Sequence, residues 1–492
     1  MPNLRILIDT NIAIPMEPTS PEDVGQMTPD AAELHAACHR AGIGLYLHPA
    51  ARADLARDPI IERRQLRELH FAKYPHLPEP PEISTATSAV VGEAPRGSND
   101  WVDHCLLEAM CRSCAHFLVS EDRGVHRKAK RLGLRNVLLI REALAVVRRL
   151  FDQDVEPPPA VEDCYVHNLD ETDPIFDSFR GDYPGFDAWL RKCREAQRKA
   201  WVIRRDGVIA AFSIYKPEDG PEVGLAGRAL KLCSFKVREL YRGWAFGELL
   251  LRSAYAHASQ NDFTWIYLTA FEEKQPFLVD FLEELGFEKL ETRTALGEVI
   301  LAKPVGHRAG LPVWDDSARM LRRYGPFTFV RHSVNAYFVP IQPRYHSILF
   351  PDAEPQPDLF PGHHYFGNAI RKAYLCNAPI RSLAAGDLLF FYQSQGTSTI
   401  QVVGVVEEVL VSRDPALVAA FVGKRTVYSF AEIEGMTEGR ELLALLFMPV
   451  RLSGPKVELA RLLKKQALVA APQSIQAVAK ESLPWLLNQL QL

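Results

Sequence analysis

Residues 230–251 read LKLCSFKVRELYRGWAFGELLL. The first eight residues have the pattern of a strand, and the leucines after Glu248 predict a helix that continues to about Ala258. Glycine and alanine in the turn between them let the backbone approach a ligand closely. The free N–H groups at the start of a helix favour an anion. The segment therefore predicts a strand, a turn and a helix that together bind a pyrophosphate group.

This segment resembles the acetyl-coenzyme A loop of the GCN5-related N-acetyltransferases (GNAT), whose pattern is Arg/Gln-x-x-Gly/Ala-x-Gly/Ala. A strand at 265–269 and a helix that closes on Gly286-Phe287 are also similar to that family. The resemblance covers about 160–303 and implies a GNAT α+β domain at 156–305 that binds acetyl-CoA, with pantetheine along 233–237. The implied cofactor-binding residues are Phe235, Val237, Arg242, Gly243, Trp244, Ala245, Phe246, Gly247 and Glu248.

One position departs from the GNAT pattern. The family commonly places a tyrosine four residues before the glycine of Gly-Phe, as the general acid for the departing thiolate, and here that residue is Leu282. Tyr255, Tyr267 and Glu272 are candidate substitutes. Whether the domain transfers acetyl groups or only binds acetyl-CoA stays open from the sequence.

The start of the chain has a different pattern, with acidic residues at the ends of predicted strands and the starts of predicted helices. Buried-strand patterns at 4–8, 44–48, 117–119 and 136–140 alternate with helical ones, which predicts a parallel sheet. Carboxylates that cluster at one sheet edge raise one another's pKa unless a cation neutralises them. Mg²⁺ and Mn²⁺ prefer such oxygen ligands and support phosphodiester hydrolysis. The acidic residues in question are Asp9, Asp54, Asp103 and Asp122.

The strand ending in Asp9-Thr10-Asn11, the helix with Asp103 in its first turn and the strand before Ser120-Glu121-Asp122 resemble the PIN nuclease family. The resemblance covers about 1–150 and implies a PIN-like nuclease domain at 1–155. It implies that Asp9, Asp103 and Asp122 ligate Mg²⁺ or Mn²⁺. The implied catalytic residues are Asp9, Asn11, Asp54, Asp103, Ser120 and Asp122.

The fourth acidic residue of this set is open to alternatives. Asp54 stands where the PIN family usually has Glu, and Asp58 and Glu62 are competitors, with Asp100 as a further candidate. The simpler interpretation is that each Asp caps a helix or forms a turn, because Asp is favoured at helix N-termini.

The last third of the chain has strand patterns at 336–341, 386–392, 400–410 and 441–452, with a short helix after the first. This order predicts a small, mostly antiparallel barrel. The motif Ile341-x-Pro-x-Tyr-x-x-Ile348 and the later Gly-Asp-x-Leu-x-Phe-Tyr are similar to the PUA-like superfamily, near its ASCH and EVE branches. The resemblance implies a PUA-like domain that binds RNA at 306–492. The candidate RNA-binding residues are Arg344, Tyr345, His346, Arg371, Lys372 and Tyr374.

Composition sets the remaining limits. The 492 residues suit about three domains, and Pro-rich breaks place the boundaries near 155 and 306. The net charge of -4 divides into 0 for residues 1–150, -8 for 151–305 and +4 for 306–492. The sequence shows no apolar run of membrane-spanning length and no secretory signal. Few cysteines favour the reducing cytoplasm.

The sequence thus predicts a multidomain α/β protein with three candidate functions. The first is a metal-dependent endoribonuclease. The PIN resemblance also implies a toxin-like form of this function, in which a small DNA-binding antitoxin protein is the partner. The second is an acetyl-CoA-dependent N-acetyltransferase that acts on RNA, such as tRNA or aminoacyl-tRNA, with a supporting nuclease fold. The third is an RNA-binding scaffold without enzymatic activity. RNA and acetyl-CoA are the expected partners.

Overall fold

A computed structural model describes residues 4–25, 27–152, 159–220, 223–305, 317–326, 335–353, 363–364, 370–395, 397–451 and 455–492. The chain forms two compact units. The first comprises Met1–Val155 and Ser412–Leu442, and the second comprises Glu156–Val411 and Leu443–Leu492. The boundaries predicted near 155 and 306 fall on 153–158 and 306–316, which lie outside the described residues.

The strands, in chain order, are β1 Arg5–Ile8, β2 Gly44–Tyr46, β3 Phe117–Val119, β4 Val137–Leu138, β5 Val161–Tyr165, β6 Lys199–Arg205, β7 Val208–Asp219, β8 Arg228–Leu232, β9 Lys236–Val237, β10 Trp265–Ala270, β11 Glu288–Arg293, β12 Val299–Pro304, β13 Ala336–Ile341, β14 His363–His364, β15 Lys372–Cys376, β16 Leu388–Gln393, β17 Thr399–Ser412, β18 Leu442–Arg451, β19 Val457–Glu458 and β20 Gln476–Ala477.

The α-helices, in chain order, are α1 Thr10–Met16, α2 Thr28–Ala41, α3 Ala51–Ala56, α4 Ile61–Phe71, α5 Thr85–Val91, α6 Asn99–Cys111, α7 Arg123–Arg131, α8 Ile140–Phe151, α9 Asp177–Asp182, α10 Phe186–Glu195, α11 Phe246–Gln260, α12 Pro276–Glu284, α13 Ser317–Tyr324, α14 Pro343–Leu349, α15 Pro415–Val422, α16 Phe430–Thr437, α17 Leu459–Lys464 and α18 Leu483–Gln489. No described helix is both long and apolar enough to cross a membrane.

The first unit is built on a parallel sheet in the order β2-β1-β3-β4. The strands are short and apolar, and Ile6, Leu7 and Ile8 are buried between helices on both faces, as parallel sheets require. The parallel sheet expected from the alternating pattern is therefore confirmed.

Two features of the first unit differ from the sequence prediction. Residues 75–98 were expected to form one long loop, but α5 lies within them. Ser84 caps this helix and donates a 2.9 Å hydrogen bond from its hydroxyl to the buried carboxylate of Glu108. The segment Ser412–Leu442, expected to be part of a third domain, belongs to this unit, where the rings of Phe151 and Phe430 stack 5.1 Å apart.

The second unit contains two sheets. The first follows the order β11-β12-β10-β8-β7-β6-β5-β14, with β9 also paired to β7. Its strands pair antiparallel, except that β8 and β10 are parallel. One face packs against α11, and the other packs against α9 and α10 through Phe176, Phe179 and Phe186. This mixed sheet between helices is a GNAT-like fold.

The second sheet follows the order β15-β18-β17-β16-β13-β20, with β19 also paired to β17. The strand pairs β13–β20, β15–β18, β16–β17 and β17–β19 are antiparallel, and β13–β16 is parallel. The mostly antiparallel character agrees with the sequence expectation. The predicted division near 306 separates two sheets within one compact unit rather than two compact units.

Candidate functional site

The first candidate site is an opening in the sheet of the second unit, where neighbouring strands diverge. β8 and β9 both pair with β7, and residues 233–235 of the chain separate these two paired stretches. β8 pairs with β10 over Ala229–Lys231 and Trp265–Tyr267 only, while β10 continues to Ala270. The strands therefore separate beyond residue 267, and the break between β8 and β9 lies beside that separation.

The turn after β9 forms the second side of this opening. Gly243 has φ 83° and Ala245 has φ 59°, so two left-handed residues turn the chain into α11. A Cβ on Gly247 would come within 3.2 Å of the Phe281 ring and 3.7 Å of Phe235. Because the first turn of a helix leaves its amide donors without partners inside the helix, the start of α11 can bind an anion. The structure thus brings the predicted loop residues together as a close-packed turn at a helix start.

Three basic residues add positive charge near this turn. Lys236 lies on β9, where burial lowers the pKa of its ammonium group and the positive charge of Arg242 lowers it further. Arg242 is ion-paired to Glu239 at 2.9 Å. The guanidinium of Arg205 lies 4.6 Å from the centre of the Trp244 ring. Lys236 is absent from the sequence predictions, because a lysine in a strand gives no signal of its own.

The three residues considered as substitutes for the missing tyrosine are placed elsewhere. Tyr255 is fully buried inside the core, and that burial raises the pKa of its hydroxyl. The hydroxyl of Tyr267 is hydrogen-bonded to Glu218. Glu272 is paired with Lys289 at 2.7 Å and also with an arginine of β11. Leu282 is completely buried as a core residue of α12.

A different tyrosine lies beside the opening. Tyr183, between α9 and α10, donates a 2.8 Å hydrogen bond from its hydroxyl to Oε1 of Glu298. The Tyr183 ring packs 5.3 Å from Phe271, the residue that follows β10 at its diverging end. Sequence analysis did not identify this pair, because the two residues are separated by 115 positions and neither belongs to a motif.

The second candidate site is an acidic cluster at the carboxyl ends of β1 and β3. Asp9 follows β1 and is 6% exposed; its Oδ2 accepts hydrogen bonds from Asn11 at 2.8 Å and from Ser120 at 2.7 Å. Burial raises the pKa of Asp9, and the negative charge of Asp54 raises it further, against the hydrogen bonds from Ser120 and Thr10. Asp54 joins the cluster from α3, with Thr10 donating a 2.9 Å hydrogen bond to it.

Asp103 reaches the same cluster from α6. Burial raises the pKa of Asp103 to about 6, and the negative charges of Asp9 and Asp122 add to this effect. Lys128 opposes it, with its ammonium nitrogen 2.9 Å from Oδ2 of Asp103 and 2.6 Å from Oδ1 of Asp100. The predicted acidic residues therefore lie near one another, and a lysine lies among them.

The structure distinguishes among Asp54, Asp58 and Glu62 as candidates for the fourth acidic residue. Asp58 is held by Arg63 and Arg67, each with a 2.6 Å contact, and does not join the cluster. Glu62 lines a separate cavity of about 420 Å³ near Ser20. Asp54 is therefore the residue that the structure places beside Asp9.

The cluster does not fit a divalent metal as it stands. Among the described residues, no group of three or more His, Cys, Asp or Glu side chains is arranged to hold a metal ion. Asp9 and Asp122 also cap α1 and α7, as the simpler interpretation of the sequence expects. The predicted Mg²⁺ or Mn²⁺ site is therefore not supported, and the cation observed beside Asp103 is Lys128.

The predicted RNA-binding residues divide into exposed and buried groups. Arg344 is exposed on α14, and its guanidinium lies 5.7 Å from the centre of the half-buried Tyr345 ring. Lys372 is 1% exposed and donates to the carbonyl of Leu349 at 2.7 Å. The remaining buried members are His346, Arg371 and Tyr374. The buried group has structural partners and lacks the exposure that contact with RNA requires, which corrects the prediction for these residues.

Comparison with known proteins supports the first candidate site, the strand opening in the second unit. Residues 163–287 match the acetyltransferase (GNAT) family, and no curated protein matches the chain. No comparison gives evidence for a PIN domain.

Solved structures with similarity to parts of the chain include ASCH and GNAT proteins. ASCH from Zymomonas mobilis is 14% identical, with 31% of this chain and 94% of that chain covered and a TM-score of 0.24. A GNAT-family protein from Desulfovibrio desulfuricans is 15% identical, with 26% and 87% covered and a TM-score of 0.23. Arabidopsis thaliana NAA60 is 12% identical, with 29% and 97% covered and a TM-score of 0.22. From the family match, residues 163–287 are a GNAT acetyltransferase domain.

Proposed function

We propose that this protein is an acetyl-CoA-dependent N-acetyltransferase that modifies an amino group on RNA or aminoacyl-tRNA. The observation that carries the proposal is the interrupted strand β8/β9, which diverges from β10 beside a left-handed turn at the start of α11. The match of 163–287 to the acetyltransferase family supports the same activity.

The residues around the opening suit an acyl-CoA donor. Phe235 and Val237 border the gap in which the pantetheine arm would lie, and the first amides of α11 would bind the pyrophosphate. The cationic side chains of Lys236 and Arg242 add favourable electrostatics for phosphate groups. Acetyl-CoA supplies the activated thioester, and the chain supplies binding and orientation.

The proposed acceptor class rests on the second sheet of the same unit. Residues 306–492, which comprise this sheet and also the segment Ser412–Leu442 of the first unit, carry a net charge of +4, whereas 151–305 carry -8. The exposed Arg344 and the half-buried Tyr345 place a cation beside an aromatic face, which is the combination that single-stranded RNA requires. A PUA-like role for this part of the chain and a cytoplasmic location are components of the proposal.

A transfer assay tests the proposed function. The protein is incubated with radiolabelled acetyl-CoA and either a charged tRNA mixture or uncharged total RNA, and label in the RNA is counted. Gly247→Val should abolish labelling and weaken acetyl-CoA binding in calorimetry, because the added side chain would clash with Phe281. Gly181→Ala is the matched control, since nothing lies within 4 Å of its added Cβ. An absence of calorimetric heat with wild-type protein would contradict the proposal.

A ribonuclease activity of the first unit is the second candidate function. The observation in its favour is the convergence of Asp9, Asp54 and Asp103 from β1, α3 and α6, close enough for their charges to interact. Cleavage of labelled RNA with and without Mn²⁺ tests it, using Asp9→Asn and Asp122→Asn as loss variants and Asp58→Asn as the control. Full cleavage by Asp9→Asn would contradict this function. A toxin-like role with an antitoxin partner depends on the same assay.

A further inference from the structure

The hydroxyl group of Tyr183 lies beside the strand opening, on the face of the sheet that α9 and α10 cover. Tyr183 follows α9, and its ring contacts Phe179 of that helix, with 6.4 Å between ring centres. On the other side it contacts Phe271, at the diverging end of β10. Phe179 in turn packs on Phe212, which pairs with Lys236 of β9. Tyr183 therefore lies beside the diverging end of β10, on the face of the sheet opposite α11.

Glu298 holds this hydroxyl from the start of β12, the strand that pairs with β10 next to Phe271. Its carboxylate accepts the hydrogen bond from Tyr183 on Oε1 and a 3.1 Å hydrogen bond from Thr294 on Oε2. Glu298 is 6% exposed, just before β12. A buried carboxylate with both oxygens hydrogen-bonded has a fixed orientation, so the Tyr183 oxygen is fixed as well.

We propose that the Tyr183 hydroxyl, hydrogen-bonded to Glu298, relays the proton from the acceptor amine to the departing thiolate. This inference rests on the proposed acetyl transfer and names the residues that serve it. It also accounts for Leu282, since the proton donor comes from the α9–α10 connection rather than from α12.

The relay balances in atoms and charge. The neutral amine attacks the thioester carbonyl carbon, so a C–N bond forms and the C–S bond breaks. The amine proton passes to the Tyr183 oxygen while the Tyr183 proton passes to Glu298. The reverse movement then delivers a proton from Tyr183 to the sulfur, and Glu298 returns to its carboxylate form. The products are an amide and free CoA thiol, and both side chains are restored.

The position of Tyr183 suits this role better than that of Tyr255. Tyr183 is half-buried, whereas Tyr255 is fully buried within the core. Burial raises the pKa of the Tyr183 hydroxyl, and the hydrogen bond to Glu298 raises it further. A phenol with a raised pKa stays protonated at neutral pH and is available as a donor.

Two conservative variants test the relay, with Tyr165→Phe as the matched control on β5. Tyr183→Phe keeps the aromatic contacts and removes the hydroxyl, and Glu298→Gln keeps a hydrogen-bond acceptor that cannot take up the proton. The acyl donor is acetyl-CoA, and the acceptor probes are the charged tRNA mixture and spermine. Calorimetry gives the acetyl-CoA Kd, and initial rates in H₂O and D₂O give kcat, KM and the solvent isotope effect.

The expected result is a kcat lower by about 10²–10⁴ in both variants. The acetyl-CoA Kd should stay unchanged and the solvent isotope effect should differ from that of the wild type. A merely structural role would move Kd and KM together with kcat. Wild-type kcat in Tyr183→Phe would overturn the relay and leave the proposed function intact. Acetylation of neither probe by the wild-type protein would overturn both, whereas acetylation of spermine alone would reject only the RNA acceptor.

Discussion

The ammonium group of Lys128 lies 2.9 Å from a carboxylate oxygen of Asp103. Lys128 projects from α7 and Asp103 from α6, and both side chains are 15% exposed. The cation thus lies beside a carboxyl whose pKa burial raises to about 6, with Asp9 and Asp122 contributing. Lys128 stabilises the acidic cluster without a bound metal ion.

Removal of that cation should raise the pKa of Asp103 above 6. Lys128→Met keeps the length of the side chain but removes the charge that lowers the Asp103 pKa. Carboxyl ¹³C titration of aspartate-labelled protein in metal-free buffer measures the change, with Asp103→Asn to assign the signal. Lys130→Met, at an exposed position of the same helix, should leave the titration unchanged. An unaltered Asp103 titration in Lys128→Met would show that the ion pair does not control this carboxyl.

A second prediction concerns the acid sensitivity of the first unit. Burial lowers the pKa of His48 to about 4, and its Nδ1 accepts a 3.0 Å hydrogen bond from the amide of Ala50. The unfolded chain, with a histidine pKa of about 6.5, binds an additional proton between pH 6.5 and 4. Stability should therefore be full above pH 6.5 and fall by about 2–3 kcal/mol as the pH drops to 4.

The variant His48→Asn isolates this contribution. Its side-chain oxygen can accept the same amide hydrogen bond but does not titrate in this range. Urea unfolding at pH 7 and pH 4.5 should show a smaller loss of stability in His48→Asn than in the wild type. His39→Asn, on α2, serves as the exposed control. Equal losses in the wild type and His48→Asn would place the acid sensitivity elsewhere.

Local patterns determined which parts of the fold could be predicted. The run before Asp9 and the segment 230–251 are long or specific enough for strands and helices to be assigned, and the structure has β1, β8 and α11 there. The segment Ser412–Leu442 could not be assigned to the first unit, because its contacts with α8, such as Arg149 with Thr426, join residues 277 positions apart. Such pairing leaves no periodic signal in the sequence.

The candidate sites show the same limit. Arg371, Lys372 and Tyr374 have the composition of an RNA-binding motif, yet they lie on or beside β15, where burial depends on the neighbouring strands. Conversely, Tyr183 and Glu298 belong to no motif, and the fold brings them together from positions 115 residues apart. Residue type at a given position predicts chemistry, but exposure depends on tertiary packing.

A third prediction separates the exposed RNA candidates from the buried ones. Arg344→Ala and Tyr345→Ala should each weaken binding of single-stranded RNA, the latter by about 1–3 kcal/mol if a base stacks on the ring, with little effect on unfolding. Lys372→Ala should instead destabilise the protein, because it removes a buried hydrogen bond to Leu349. Fluorescence anisotropy with labelled RNA and thermal unfolding distinguish the two classes. Unchanged RNA affinity in both exposed variants would remove α14 from the RNA interface.

The final prediction concerns Arg371, a residue that is 5% exposed. It lies 2.8 Å from the carboxylate of Glu284 and 3.2 Å from that of the buried Glu407. Burial alone would lower the pKa of Arg371, but Glu407 and Glu284 outweigh it and keep the guanidinium charged. Arg371→Met should destabilise the protein by about 3–5 kcal/mol, because the buried carboxylate of Glu407 loses the positive charge that lies 3.2 Å from it. The double variant Arg371→Met/Glu407→Leu should recover part of that loss, since it removes both charges together. Urea unfolding followed by tryptophan fluorescence measures both, with Arg344→Met as the exposed control. A double variant no more stable than Arg371→Met would mean that the cost comes from lost packing rather than from the lost ion pair.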